Sequence, residues 1–115
     1  MEELAKLQLR RVSADTPPLT EHEARQILTK LPDWKLYEKE GQLRLEKVFK
    51  FKNYKQALDF TNRVAEAADL ADHHPAILTE WGKVTVTWWT HTLQGLHQND
   101  FILAARTEEL HGGTA

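Results

Sequence analysis

Ile77-Leu-Thr-Glu-Trp81-Gly82-Lys83-Val84-Thr-Val-Thr-Trp88-Trp89-Thr90 is the stretch that decides the fold. Val84, Val86 and Trp88 alternate with Thr85, Thr87 and Trp89, the period of two that a β-strand imposes on its side chains. Ile77 to Trp81 is a shorter run before it, and Gly82-Lys83 separates the two as a turn. The pattern predicts an antiparallel hairpin. Both faces of the second strand carry bulk, so the sheet is expected to be covered on both sides, on one of them by another subunit.

Upstream, His73-His74-Pro75 ends a helix, because the residue before proline disfavours the α region. From Asn53 to about Leu70 the spacing is helical. Ala57, Leu58, Thr61, Val64, Ala65 and Ala68 fall on one stripe with Phe60 beside it, and Lys55, Asp59, Arg63, Glu66 and Asp69 cover the other side. Before that helix stands another hairpin. Trp34, Leu36 and Glu38 alternate with lysines and Tyr37, Glu40-Gly41 turns, and Leu43, Leu45, Lys47 and Phe49 oppose Arg44, Glu46, Val48 and Lys50. Earlier still, Thr20 and Glu23 are spaced as a capping box, with Leu19 and Ala24 as its hydrophobic staple. Ala24, Ile27, Leu28 and Leu31 follow at helical spacing, and Pro32-Asp33 ends that helix. A last helix runs from about Gln98 to Leu110, with Ile102, Leu103, Ala104 and Leu110 apolar, and Gly112-Gly113 ends it.

The order is α-β-β-α-β-β-α. Two hairpins and no βαβ repeat predict an α+β fold: a four-stranded antiparallel sheet with three helices packed on one face. A single domain is expected over residues 19–112. Residues 1–18 form an N-terminal extension, flexible or briefly helical before Ser13-Ala-Asp-Thr-Pro-Pro18.

Composition narrows the function. The chain has 115 residues, 41% of them hydrophobic, enough for one modest core in one domain. Net charge is −2, which leaves no basic footprint for nucleic acid. There is no cysteine, which excludes a disulfide framework and thiolate zinc sites. Met1 to Val12 lacks the apolar run of a signal peptide. No stretch approaches the roughly 18 apolar residues of a membrane span. A cytoplasmic domain is the expectation.

Three of the six histidines, His73, His74 and His91, fall within one short region. Imidazole is the side chain whose unperturbed pKa lies nearest neutrality. His73 and His74 precede one strand of the hairpin and His91 ends its partner, so the hairpin carries all three to one edge of the sheet. Proton transfer is one use of such a cluster. Capping of the helix C-terminus by the histidine pair, and a structural role for His91, are the others. Zinc is disfavoured, because adjacent histidines rarely converge on one ion and the usual helical spacing is missing. The single serine, Ser13, lies in the extension, and the scattered glycines form no phosphate loop. His22, His97 and His111 read as surface residues. Asp69 and Asp100 either orient imidazoles or sit on solvated helix positions. Trp34 and Trp81 either pack a core or wall a flat heterocycle.

Asp69, then three residues, His73-His74-Pro75, then five, Trp81, then nine, His91, then eight, Asp100 resembles the signature of the pterin-4a-carbinolamine dehydratases. Leu19-Thr20, Leu31-Pro-Asp-Trp34, Thr90-His91, Gly95-Leu96 and Leu103-Ala104 agree with it, and the likeness covers about Leu19 to Leu110. The resemblance implies dehydration of 4a-hydroxytetrahydropterin to quinonoid dihydropterin, which restores the tetrahydrobiopterin cofactor of aromatic amino-acid hydroxylases. It implies His73 and His91 as the proton-transfer pair, either of them acid or base, and His74 as a third imidazole that orients substrate. Asp100, Asp69, Trp34 and Trp81 are the implied substrate-binding residues. No metal or organic cofactor is called for, and a homodimer or homotetramer is implied. His97 stands where many relatives have Ser or Thr, which predicts a weaker cap on the last helix, and Asn99 stands where some carry Arg. Some relatives of the same fold act instead as dimerisation partners of a transcription factor, or resemble assembly factors for a carbon-fixing enzyme.

Overall fold

The computed structural model describes residues 2–112. Its elements run α1 (Glu2–Ala5), α2 (Glu21–Leu28), β1 (Lys35–Lys39), β2 (Gln42–Lys50), α3 (Tyr54–Leu70), β3 (Ala76–Glu80), β4 (Lys83–Trp88), a 3₁₀ turn (His91–Leu93) and α4 (Gln98–Gly112). The four strands form one antiparallel sheet in the order β1-β2-β4-β3. The α+β class and the sheet expected from the hairpins are both present. Gly113, expected to help end the last helix, lies outside the described residues.

Local chemistry explains the boundaries. Thr20 Oγ1 accepts the Glu23 N–H at 3.1 Å, and the Glu23 carboxylate accepts the Thr20 N–H at 2.9 Å, so α2 opens on the capping box. Asn53 caps α3 by accepting the Gln56 N–H at 2.9 Å. Glu40 and Gly41 both take positive φ, 55° and 76°, which matches the twist of a two-residue hairpin turn. The second hairpin differs from expectation by one residue. Glu80 pairs with Lys83, so its turn is Trp81-Gly82, and Lys83 begins β4.

The pairing register puts Leu45, Phe49, Val84, Val86 and Trp88 on one face, where all are buried. Helices α3 and α4 pack on that face. Helix α3 is turned from the expected orientation. Its buried residues are Ala57, Phe60, Val64 and Ala68, while Leu58 is 40% exposed and Ala65 faces solvent. The reason is aromatic: the Phe60 ring lies 4.8 Å from Phe49 and 5.2 Å from Phe51. His111, expected at the surface, joins this cluster with its ring 5.0 Å from Phe49. The other sheet face leaves Val48 and Leu78 exposed.

The leading segment packs on α4. Leu4 and Ala5 are buried, and the Arg106 guanidinium donates to the Ala5 and Leu7 carbonyls at 3.0 and 2.8 Å. Farther along, Asn99 accepts the Arg10 N–H at 2.9 Å and donates to the Arg10 carbonyl at 2.7 Å. Among the described residues no helix is long and apolar enough to cross a membrane.

Candidate active site

Asp100 is the anchor. It lies in the first turn of α4 and is 0% exposed. One carboxylate oxygen meets His73 Nε2 at 2.8 Å. The other accepts from Thr90 Oγ1 at 2.7 Å and from the His97 N–H at 2.9 Å. Three donors compensate the cost of burying this carboxylate. Thr90 is held in turn by backbone bonds to Gly95 in both directions.

This geometry sets the His73 proton. A carboxylate is acceptor-only when ionised, so Nε2 carries the hydrogen. The lone pair of the neutral ring then lies on Nδ1. The side chain is 14% exposed, and its ring lies 5.8 Å from that of Trp88, tilted by 36°. Trp88 itself is fixed by donation from Nε1 to Thr107 Oγ1 at 3.1 Å. The neighbouring His74 points elsewhere, its Nε2 3.1 Å from an Asp69 carboxylate oxygen, with both side chains more than half exposed. His91 is also exposed, with its ring 4.5 Å from Trp89. On Trp89 lies the Arg44 guanidinium, 4.0 Å from the ring centre.

A cleft of about 330 Å³ opens beside His73, at the small end of the range for small-molecule sites, roughly 300–1,000 Å³. His73, Thr90, Thr92 and Asn99 line it, together with Arg10 and Arg11 of the leading segment. His91 stands in the chain between the two lining threonines.

The structure therefore unites His73 with Asp100, and His74 with Asp69. Trp34 lies elsewhere: its Nε1 donates to Glu108 at 2.9 Å, eight residues and about 12 Å along α4 from Asp100. Lys47 forms an ion pair with the same carboxylate. Trp81 is 70% exposed in the β3–β4 turn, at the far end of β3 from His73. Among the described residues no three His, Asp or Glu side chains are grouped to hold a metal.

His97 departs from its expected place as a surface residue and is half-buried. Its Nδ1 accepts the Asn99 N–H at 3.0 Å while Asp100 accepts its own N–H, a reciprocal pair like a capping box. Burial pushes its pKa below the ordinary histidine value, and nearby Arg10 and His73 push the same way against the Asp100 carboxylate. The spacing of His97 and Asp100 was a visible signal. Asn99 and Arg10, by contrast, were not legible as partners.

The chain matches the model of the pterin 4 alpha carbinolamine dehydratase family over residues 17–110, and it belongs to that family. A Microcystis aeruginosa protein, provisionally named a pterin-4-alpha-carbinolamine dehydratase, is 52% identical over 111 residues, 96% of each chain. Among solved structures, a transcriptional coactivator/pterin dehydratase from Brucella melitensis superposes with a TM-score of 0.74 at 30% identity, covering 83% of this chain and 99% of that one. A pterin dehydratase-like protein described as a RuBisCO assembly factor in the alpha-carboxysome gives a TM-score of 0.60 at 27% identity, covering 70% of this chain and 90% of that one.

Proposed function

We propose that this chain dehydrates 4a-hydroxytetrahydropterin to the quinonoid dihydropterin, with His73 and His91 as the proton-transfer pair and His74 orienting the substrate. Family membership supports the substrate class. The observation that carries the chemistry is the buried Asp100 bonded to His73 Nε2 beside a ligand-sized cleft.

Water leaves C4a while a proton leaves N5. Hydroxide is a poor leaving group near neutrality, so one imidazole protonates the departing oxygen and another takes the ring proton. Such assistance contributes about 10²–10⁴-fold. Asp100 holds His73 in one tautomer, the condition for a defined role as base or acid. His91 rests against Trp89 with the rings tilted, yet exposed side chains change rotamer within nanoseconds, so that contact does not bar it from the cleft lined by Thr90 and Thr92. His74 with Asp69, and Trp34 and Trp81 at their greater distance, have weaker support as substrate contacts. Recycling of a hydroxylase cofactor in the cytoplasm is the pathway this activity fits. The exposed Val48 and Leu78 on the outer sheet face suit a homodimer or homotetramer.

The test is dehydration of 4a-hydroxytetrahydropterin generated in place by an aromatic hydroxylase, for wild type, His73→Ala and His91→Ala. Acceleration by wild type that both variants lose is expected. A wild type no faster than the spontaneous reaction refutes the proposal. The names of the two structural relatives favour one second reading, a protein-binding role on the same fold. Under it, the histidine variants retain partner binding.

A further inference from the structure

The leading segment lies outside the family match, which begins at residue 17, yet it walls the cleft at His73. Its attachment is built. Arg106 holds the Ala5 and Leu7 carbonyls, and Asn99, itself only 5% exposed, engages both backbone polar atoms of Arg10. Because Asn99 adjoins Asp100, the segment is tied to the same turn of α4 that holds His73. All four bonds use the segment's backbone, which leaves the Arg10 and Arg11 side chains uncommitted by them. Both residues are exposed and line the cleft, and among the described residues neither guanidinium has a carboxylate within ion-pair distance. Asp72 is the one acidic residue among the lining side chains, so the wall carries a surplus of positive charge in a chain of net charge −2.

We infer that Arg10 and Arg11 determine specificity, by recognising an anionic group, carboxylate or phosphate, on the side chain of the pterin bound over His73. The inference rests on the pterin reading above. Guanidinium presents a planar fork of donors that matches carboxylate and phosphate oxygens. The pinned backbone fixes where the two side chains begin, so binding has to order only their rotamers and not the segment as well. In this reading they act on the substituent and leave the C4a and N5 chemistry to the imidazoles.

The test is equilibrium binding to the full chain of three pterins: biopterin with its neutral side chain, 6-carboxypterin, and neopterin monophosphate. Wild type, Arg10→Gln/Arg11→Gln and Arg10→Lys/Arg11→Lys are compared at low and high salt. In wild type an anionic pterin binds about tenfold tighter than biopterin, the equivalent of one charge-assisted hydrogen bond, and the carboxylate and phosphate arms show which anion is preferred. The ratio of anionic to neutral affinity falls toward one in the glutamine variant and in high salt, and survives in part in the lysine variant. Equal affinity of wild type for all three overturns the inference while the pterin reading stands. A preference that persists in the glutamine variant overturns it too. Failure to bind any pterin overturns both.

Discussion

Asp100→Asn separates what the carboxylate does for stability from what it does for the His73 proton. Asparagine is nearly isosteric but offers one acceptor oxygen and one amine in place of two acceptors. Two donors, Thr90 Oγ1 and the His97 N–H, share one carboxylate oxygen, and His73 Nε2 alone faces the other. The amide oxygen therefore turns toward Thr90 and His97. The reverse orientation would orphan a buried N–H, at about 1–3 kcal/mol. The amine then faces Nε2, which must become an acceptor, so the His73 proton moves to Nδ1. Each group that met the carboxylate keeps a partner, but bonds to a charge become bonds to a neutral amide, each weaker by about 1 kcal/mol, and the second N–H of the amide is left unpaired. A loss of at least about 3 kcal/mol in urea unfolding is expected. Nitrogen NMR of the His73 ring should report the reversed tautomer, and dehydration should fall by about 10²–10⁴-fold because base and acid positions are exchanged. An unchanged tautomer, or dehydration within about threefold of wild type, refutes this account of the network.

Three further outcomes follow from the same geometry. The folded His97 pKa is lowered, so the unfolded chain binds more protons just below the ordinary value of 6.5. His97 therefore contributes stability in full above that pH and loses it as pH falls through the lowered folded value. His97→Asn keeps a capping side chain without the titration. Its unfolding free energy between about pH 7.5 and 5 should slope less than that of wild type, and equal slopes count against a His97 pKa lowered by burial. Phe60→Ala empties the centre of the aromatic cluster and should cost about 3–5 kcal/mol in urea unfolding. Leu58→Ala on the exposed flank should cost less than about 1 kcal/mol, and similar losses at the two sites would contradict the helix orientation. Thr20→Ala should destabilise by about 1 kcal/mol. It should also let the Glu23 carboxyl, held below its ordinary value by its bonds to the Thr20 backbone and hydroxyl, rise in an NMR titration.

The sheet was legible because strand alternation and turn residues are local. Trp34 to Lys50 and Ile77 to Thr90 show both, as does the Thr20–Glu23 box at the start of α2. What was misplaced depended on tertiary contact. The turn shifted to Trp81-Gly82 because the ladder ends on the Glu80–Lys83 pair, whose opposite charges lie 3.6 Å apart. Helical spacing alone did not separate Leu58 from Phe60 on α3, since the partners that fix the rotation, Phe49 and Phe51, lie on and just beyond β2. The hairpin and the family likeness together pointed to His73 and Asp100, but not to which ring nitrogen meets the carboxylate. The leading segment was least legible. It docks through the Ala5, Leu7 and Arg10 backbone, and backbone atoms leave no residue pattern.

Helix α4 explains why fold and site cannot be assigned to separate parts of this chain. Its buried residues, Asn99 to Ala105 and Thr107, go round the helix, so no clean amphipathic stripe marks it. Every buried polar side chain among them has a partner from another element. Asn99 takes the leading segment, Asp100 takes His73 and Thr90, and Thr107 takes Trp88. Such groups are stable in a core only when satisfied, so each constrains where its partner lies. The Asp100 bonds that offset burial of charge also orient the candidate catalytic imidazole. One residue earlier, the Asn99 bonds that satisfy a buried amide hold the leading segment where it lines the cleft. The position of the cleft thus follows from polar satisfaction in the core, which is why a loop at a sheet edge holds a defined histidine tautomer.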